Sequence, residues 1–253
     1  MCGIVGAFGN RKACDHSVLE MANTLKHRGP DDFGIWSDFK KEIFLGHRRL
    51  SIIDLSKNGH QPMISRSGRY IITFNGEIYN HIEIRNKFFS NHKWNGGSDT
   101  ETLLASFDMW GIEGSLRFLE GMFSFAVWDK KDESLNLVRD RFGEKPLYYY
   151  EGGEGIVFAS ELKAIKSLLG TSLNINNDSL SIFLSLSYIP NPLSIYQNVF
   201  KLKPGHIIKF TKSNQKVLKP YWNLEEKYFL QEQNMFQGND NEAINTLDNL
   251  LKK

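Results

Sequence analysis

The sequence predicts an α+β fold with layered antiparallel sheets, and three observations carry that reading. Strand-like runs and helical patterns come in groups instead of alternating singly, as a parallel α/β fold would require. Neighbouring strand runs are joined by short turn sequences, Asp129-Lys130-Lys131-Asp132 and Glu151-Gly152-Gly153-Glu154-Gly155, of the kind that connect hairpins. At 253 residues, 41% of them hydrophobic, the chain is also long enough to bury a substantial core.

Ile4 to Phe8 is a short apolar run closed by Gly9-Asn10, a buried strand that puts Cys2 at its leading end. Cys14 to Lys26 carries a helical pattern with Val18, Leu19, Ala22 and Leu25, in which Cys14 reads as a small buried side chain. His27-Arg28-Gly29-Pro30-Asp31 cannot continue that helix and forms a polar loop. Strand runs follow at Glu42 to Ile53, Tyr70 to Phe74, Met122 to Trp128, Ser134 to Val138, Leu147 to Tyr150 and Ile156 to Ala159. Helical patterns lie at His81 to Phe89, at Thr100 to Trp110 after an N-cap near Ser98 or Asp99, at Glu161 to Leu169, and at Ser179 to Leu186. After Lys203-Pro204-Gly205, a last hairpin pairs His206 to Phe210 with Val217 to Tyr221. Glu225 to Asn241 is polar enough to be a linker, and Ala243, Ile244, Leu247, Leu250 and Leu251 then form an apolar stripe at helical spacing.

The 31 basic and 29 acidic side chains are scattered along the chain, so no nucleic-acid footprint is indicated. Two cysteines without C-x-x-C spacing do not make a disulfide framework and point to a reducing compartment. No signal sequence and no apolar run of membrane-spanning length is evident, which reads as a soluble cytoplasmic protein without a membrane partner. His60, His81 and His92 lack metal-ligand spacing, and Phe123, Phe125 and Trp128 read as core.

Chemistry enters at Cys2. Removal of Met1 would leave an N-terminal residue with both a thiol and a free α-amine, a nucleophile carrying its own base. Attack on an amide carbonyl needs donors where the oxyanion develops. Asn75-Gly76 fits, with Asn75 at the end of its strand and Gly76 allowing close approach to its backbone N–H; the plainer reading is an Asn-Gly turn. Arg49 can fork onto an α-carboxylate, and since adjacent strand residues face opposite ways, Arg48 cannot line the same pocket. Asp99 can take an α-ammonium with Glu77 nearby. A surface arginine pair and a helix N-cap are the plainer readings of these residues.

The combination Met1-Cys2-Gly3-Ile4-Val5-Gly6, His27-Arg28-Gly29-Pro30-Asp31, Arg49-Leu50-Ser51-Ile52-Ile53-Asp54, Asn75-Gly76-Glu77-Ile78-Tyr79-Asn80 and Gly97-Ser98-Asp99-Thr100-Glu101 closely resembles the class II glutamine amidotransferases, above all the glutaminase domain of glutamine-hydrolysing asparagine synthetases. Gly121 to Ala126, Arg139 to Tyr149 and Ser160 to Ala164 extend the resemblance, which covers about residues 1 to 222. It implies a four-layer αββα N-terminal nucleophile hydrolase fold. It also implies Cys2 as nucleophile, its α-amine as base, and Asn75 with the Gly76 N–H as oxyanion hole. Arg49 would hold the glutamine α-carboxylate and Asp99 the α-ammonium, with Leu50, Ile53 and Glu77 completing the pocket. The glutaminase reaction would need no cofactor.

Residues 223 to 253 read as a linker and the start of a synthetase domain. That domain would bind ATP, Mg and aspartate, but its Ser-Gly-Gly-x-Asp-Ser phosphate loop is absent here. A fragment, a natural truncation and a separate partner chain all fit, and the unpartnered final helix favours the first. Expected partners are glutamine, the synthetase half and a second copy in a homodimer. The competing acceptor is a surface-polysaccharide sugar, and the competing class is a non-catalytic interaction module.

Overall fold

A computed structural model describes residues 1–153, 155–212, 215–232 and 236–252. It divides into two units, Met1–Tyr221 and Trp222–Lys253. In the first, two six-stranded sheets are antiparallel throughout. One sheet runs in the order β10 (Val199–Lys201), β8 (Tyr148–Gly152), β9 (Gly155–Ala159), β1 (Gly3–Phe8), β3 (Ile43–Arg49), β2 (Asp32–Asp38). The other runs β12 (Lys216–Pro220), β11 (His206–Thr211), β7 (Ser134–Arg139), β6 (Gly121–Asp129), β5 (Tyr70–Ile78), β4 (Met63–Ile64).

Three buried clusters stack these sheets into four layers. Val5 and Ala7 pack with Val18, Met21 and Leu25 of the α1 (Asp15–Asn23) region and with Ala164 and Ile165 of α4 (Leu162–Leu169). Ile4, Phe8, Ile43 and Leu45 meet Ile71, Trp128, Leu137 and Ile208 between the sheets. Ile72, Phe74, Phe123 and Phe125 cover α2 (His81–Phe88) and α3 (Asp99–Leu116). Period-2 alternation along each strand sends neighbouring residues into different clusters, which is why a continuous apolar run such as Ile4 to Phe8 is buried on both faces. The predicted αββα sandwich is the fold observed.

Several local expectations change. The run Glu42 to Ile53 is a strand only to Arg49, and the rest is a loop over the end of the sandwich. β2, β4 and β10 were not foreseen, being short or interrupted by loop-like residues. Asn75-Gly76 is no turn: both residues lie inside β5, opposite Ser124 and Phe123 of β6. Cys14 is exposed, not buried; it caps α1, its backbone N–H donating to Ser17 Oγ at 2.9 Å. The expected helix over Thr100 to Trp110 is the first part of α3, which kinks at Gly111 with φ +72°. α5 (Asn177–Leu186) follows an Asn176 cap.

The second unit holds α6 (Leu224–Glu232), inside the span read as linker, and α7 (Asp240–Leu251) on the expected stripe. α7 starts with a capping box between Asn239 and Glu242. Glu154 of the hairpin turn, residues 233–235 of the expected linker and the terminal Lys253 lie outside the described residues.

Candidate active site

The alternation that builds the core also builds a site at one end of the sandwich. In β1 the inter-sheet face carries Ile4 and Phe8, so Cys2 continues that face. In β3 it carries Ile43 and Leu45, then His47, whose Nε2 bonds Phe74 O across the sheets at 3.0 Å, and then Arg49. In β5 it carries Ile71 and Thr73, whose hydroxyl donates to Gly46 O at 3.0 Å, and then Asn75. Cys2, Arg49 and Asn75 therefore converge where the strands end, and all three line one cavity of ≈ 120 Å³. That space exceeds the roughly 10–15 Å³ that one water needs on the same measure, so it can admit a small solute. Arg48 points the other way, onto α1, where its Nε donates to Ala22 O at 3.2 Å.

Cys2 is half-buried between backbone partners. The Leu50 N–H approaches Sγ at 3.4 Å, and the thiol faces Leu50 O at 3.7 Å. Burial pushes the thiol pKa up, opposed by the Leu50 hydrogen bond and by Arg49. The main chain around Cys2 is clamped as well: Arg28 Nε donates to Cys2 O at 2.9 Å, and the Ile4 N–H donates to Ser160 Oγ at 3.0 Å. Glu161 braces Arg28 at 3.0 Å.

The free edge of β5 supplies donors. The Phe74 N–H is taken by Gln61 Oε1 at 2.7 Å and the Ile78 N–H by Asp99 Oδ2 at 2.9 Å. Residues of like parity point their N–H groups to the same edge, so the Gly76 N–H lies between these two, away from β6 and at the cavity wall. Beside it the Asn75 carboxamide, 1% exposed, leaves both Oδ1 and Nδ2 without a hydrogen-bond partner among the described residues. Buried polar atoms are costly to leave unpaired, so this amide is set for something that enters the cavity. The structure adds a second reason for glycine at 76. A Cβ there would fall on Met122 O of the neighbouring strand and 2.6 Å from Phe123 Cα. Gly76→Ala is expected to cost about 1–3 kcal/mol through this overpacking, read as a lower melting temperature.

Arg49 and Asp99 stand in the same wall. Arg49 Nη1 donates to Ser56 O at 2.8 Å and Nη2 to Asp54 O, which fixes the guanidinium while leaving further donors. Its plane lies on Gly59, where a Cβ would collide with it. Ser98 is the N-cap of α3, accepting from the Thr100 N–H at 3.1 Å, so Asp99 is not the cap but the first helical residue. Burial raises the Asp99 pKa to about 6, partly offset by the Ile78 and Thr100 N–H groups, with Glu77 adding to the rise. Arg85 holds Ser98 O at 2.7 Å and Gly96 O at 3.0 Å, and Asp54 Oδ2 accepts from the Gly97 N–H at 2.9 Å, so the loop leading to Asp99 is braced on two sides. Leu50, Ile53 and Glu77 complete the wall as expected, with Ile53 at the exposed rim.

The cavity brings in further residues that sequence reasoning did not assign to the site: Gln61, Ser98, Thr100, Met122 and Lys145. Lys145 carried a visible signal, since it sits in the Arg139 to Tyr149 segment. Gln61 carried none.

Residues 1–222 match the glutamine amidotransferase domain family. Relatives bearing the name asparagine synthetase (glutamine-hydrolyzing) include one of Methanocaldococcus jannaschii, 39% identical over 89% of this chain and 47% of its own. Another, of Bacillus subtilis, is 37% identical over 81% of this chain and 33% of its own. This chain thus spans half or less of the length of these relatives. Among solved structures, the glutamine phosphoribosylpyrophosphate amidotransferase of B. subtilis, complexed with ADP and GMP, superposes with a TM-score of 0.66 at 18% identity, over 87% of this chain and 49% of that one; this likeness concerns the fold. With its sheets, its end-of-sandwich cavity and its sequence in agreement, the chain belongs to the glutamine amidotransferase domain family.

Proposed function

We propose that this domain hydrolyses glutamine to glutamate and ammonia through a thioester on Cys2. The observation that carries the reading is the unpaired Asn75 carboxamide beside the Gly76 N–H, in one cavity with a cysteine thiol, an arginine and a buried aspartate. Arg49 receives the substrate α-carboxylate and Asp99 the α-ammonium, with Leu50, Ile53 and Glu77 shaping the space between. The thiol passes its proton to the α-amine of Cys2 and sulfur attacks the side-chain amide carbon. Oxyanion charge develops against Asn75 Nδ2 and the Gly76 N–H. The proton goes to the departing nitrogen, releasing ammonia and leaving the thioester. Water, deprotonated by the same amine, then cleaves the thioester to glutamate and restores the thiol.

While Met1 is present, the Cys2 nitrogen is a peptide nitrogen and cannot serve as base. Activity therefore requires the processed chain. Intact mass separates the two forms, and only the form lacking Met1 is expected to release ammonia from glutamine; activity in a preparation retaining Met1 would overturn the base assignment.

The names of the relatives support asparagine as the product that receives this nitrogen, formed from aspartate in a synthetase half. ATP and Mg are assigned to that half, and the glutaminase steps above call on neither. Among the described residues, no helix is long and apolar enough to cross a membrane.

A further inference from the structure

The segment after β7 is tied down by two buried charges, yet one cation in it is left over. Asp140, 1% exposed, accepts on Oδ1 from the Phe142 N–H at 3.1 Å and the Glu144 N–H at 2.9 Å. On Oδ2 it accepts from the Phe123 N–H at 3.2 Å and the Lys145 N–H at 3.0 Å. Arg139 Nε donates to Lys145 O at 2.8 Å. Both backbone groups of Lys145 are thus fixed by side chains that cannot drift, and the turn is pinned to β6 opposite Gly76. This much rigidity in a connection places something.

What it places is an ammonium in the cavity wall. Lys145 is 6% exposed and lines the cavity with Met1 and Cys2. Its Nζ lies 3.5 Å from Met1 Sδ, a weak acceptor, and among the described residues no carboxylate lies within 4 Å of it. The neighbouring cation differs: Arg28 also approaches Met1 Sδ, at 3.8 Å, but it is paired to Glu161. Met1 is the residue that processing removes. Its departure takes the thioether away from Lys145 and leaves the Cys2 nitrogen, in the same cavity wall, as the terminal α-amine.

We propose that Lys145 is a positioning residue for the base: its uncompensated ammonium disfavours protonation of the Cys2 α-amine, so the amine stays neutral and able to take the thiol proton at neutral pH. The charged groups facing the N-terminus are the Cys2 thiol, Arg28 and Asp31 from the loop after α1, and Lys145 from the turn after β7. Around Cys2 itself the cavity wall adds Arg49 and Asp99, of opposite sign. Asp31 opposes the effect and Arg28 has a carboxylate partner in Glu161, whereas Lys145 has none within 4 Å among the described residues. In the chain with Met1, the terminal amine already sits below its usual pKa, first through burial and then through Arg28 and Lys145. The anionic clamp Asp99 and its neighbour Glu77 belong to α3 and β5, so Lys145 is not needed to hold the substrate ammonium.

The inference rests on the glutaminase reading, and the test separates the two. In the processed full chain, the acid limb of kcat/KM for glutamine is expected to move up by about one pH unit in Lys145→Met, with activity below the limb down about tenfold and restored at alkaline pH. KM is unchanged, and Lys145→Arg keeps the wild-type limb. Lys145→Gln serves where the methionine variant does not fold. A loss uniform across pH, an unmoved limb, or a rise in KM alone overturns the proposal. Titration of the ¹⁵N-labelled α-amine in processed Cys2→Ser protein, with and without Lys145→Met, reads the same shift without any turnover. A chain lacking glutaminase activity but retaining that shift would sink the functional reading and leave this one standing.

Discussion

Cys2→Ala is expected to abolish ammonia release from glutamine while leaving the fold in place. The thiol makes two contacts, both with the Leu50 backbone at 3.4 and 3.7 Å, and the surrounding clamp does not use it. Arg28 grips the Cys2 carbonyl and Ser160 the Ile4 N–H, groups that alanine leaves untouched. Loss of one half-buried sulfur costs on the order of 1 kcal/mol, small against a typical domain stability. Chemistry has no second route, because no other thiol lines the cavity and Cys14 is exposed at the start of α1. Glutamate production in a coupled assay and thermal melting of the same sample decide the matter. Residual turnover near the wild-type rate means that Cys2 is not the nucleophile.

Asp99→Asn is expected to make the protein more stable and a far poorer glutamine binder. The sign follows from the direction of the shift. Burial lifts the folded-state pKa to about 6. The protonated acid therefore stabilises the fold fully below the ordinary carboxylate range, and that contribution is lost as pH rises through about 6. At pH 7 to 8 the wild type carries the whole cost of a buried charge, about 2–3 kcal/mol for a shift of this size. Asparagine keeps an oxygen for the Ile78 N–H without the charge, so its urea midpoint should exceed the wild type's at pH 8, and the difference should shrink as pH falls below 6. Losing the partner of a desolvated ammonium costs about 2–5 kcal/mol, a KM at least 30-fold higher. In the wild type, KM should itself rise as pH drops below about 6. An unchanged KM in Asp99→Asn would remove Asp99 from the substrate site.

The sequence made the layers legible because its strands are apolar on a period of two and its helices on 3.6. The site was legible for the same reason in part: the opposite facing of Arg48 and Arg49 follows from strand geometry and is what the structure has. What stayed hidden depended on long-range pairing. Asn75-Gly76 carries a strong local turn signal, but pairing with Ser124 and Phe123 overrides it and keeps the strand running to Ile78. Cys14 looked like the first apolar residue of a helix, yet the cap position projects it into solvent. Gln61 serves the free edge of β5 through a hydrogen bond to a residue that only the fold brings near, which no local pattern encodes.

Cys2 and Arg49 end strands of one sheet, while Asn75 and Gly76 belong to the other. Neither sheet alone carries a working set of groups. The Cys2 thiol therefore meets Asn75 and Gly76, its proposed oxyanion donors, only after the two sheets have docked, with His47 and Thr73 reaching across the seam. A partly folded chain, however complete its strands, is then expected to be chemically silent. Recovery of turnover during refolding would then time the closing of the sandwich, and do so separately from any signal that follows strand formation.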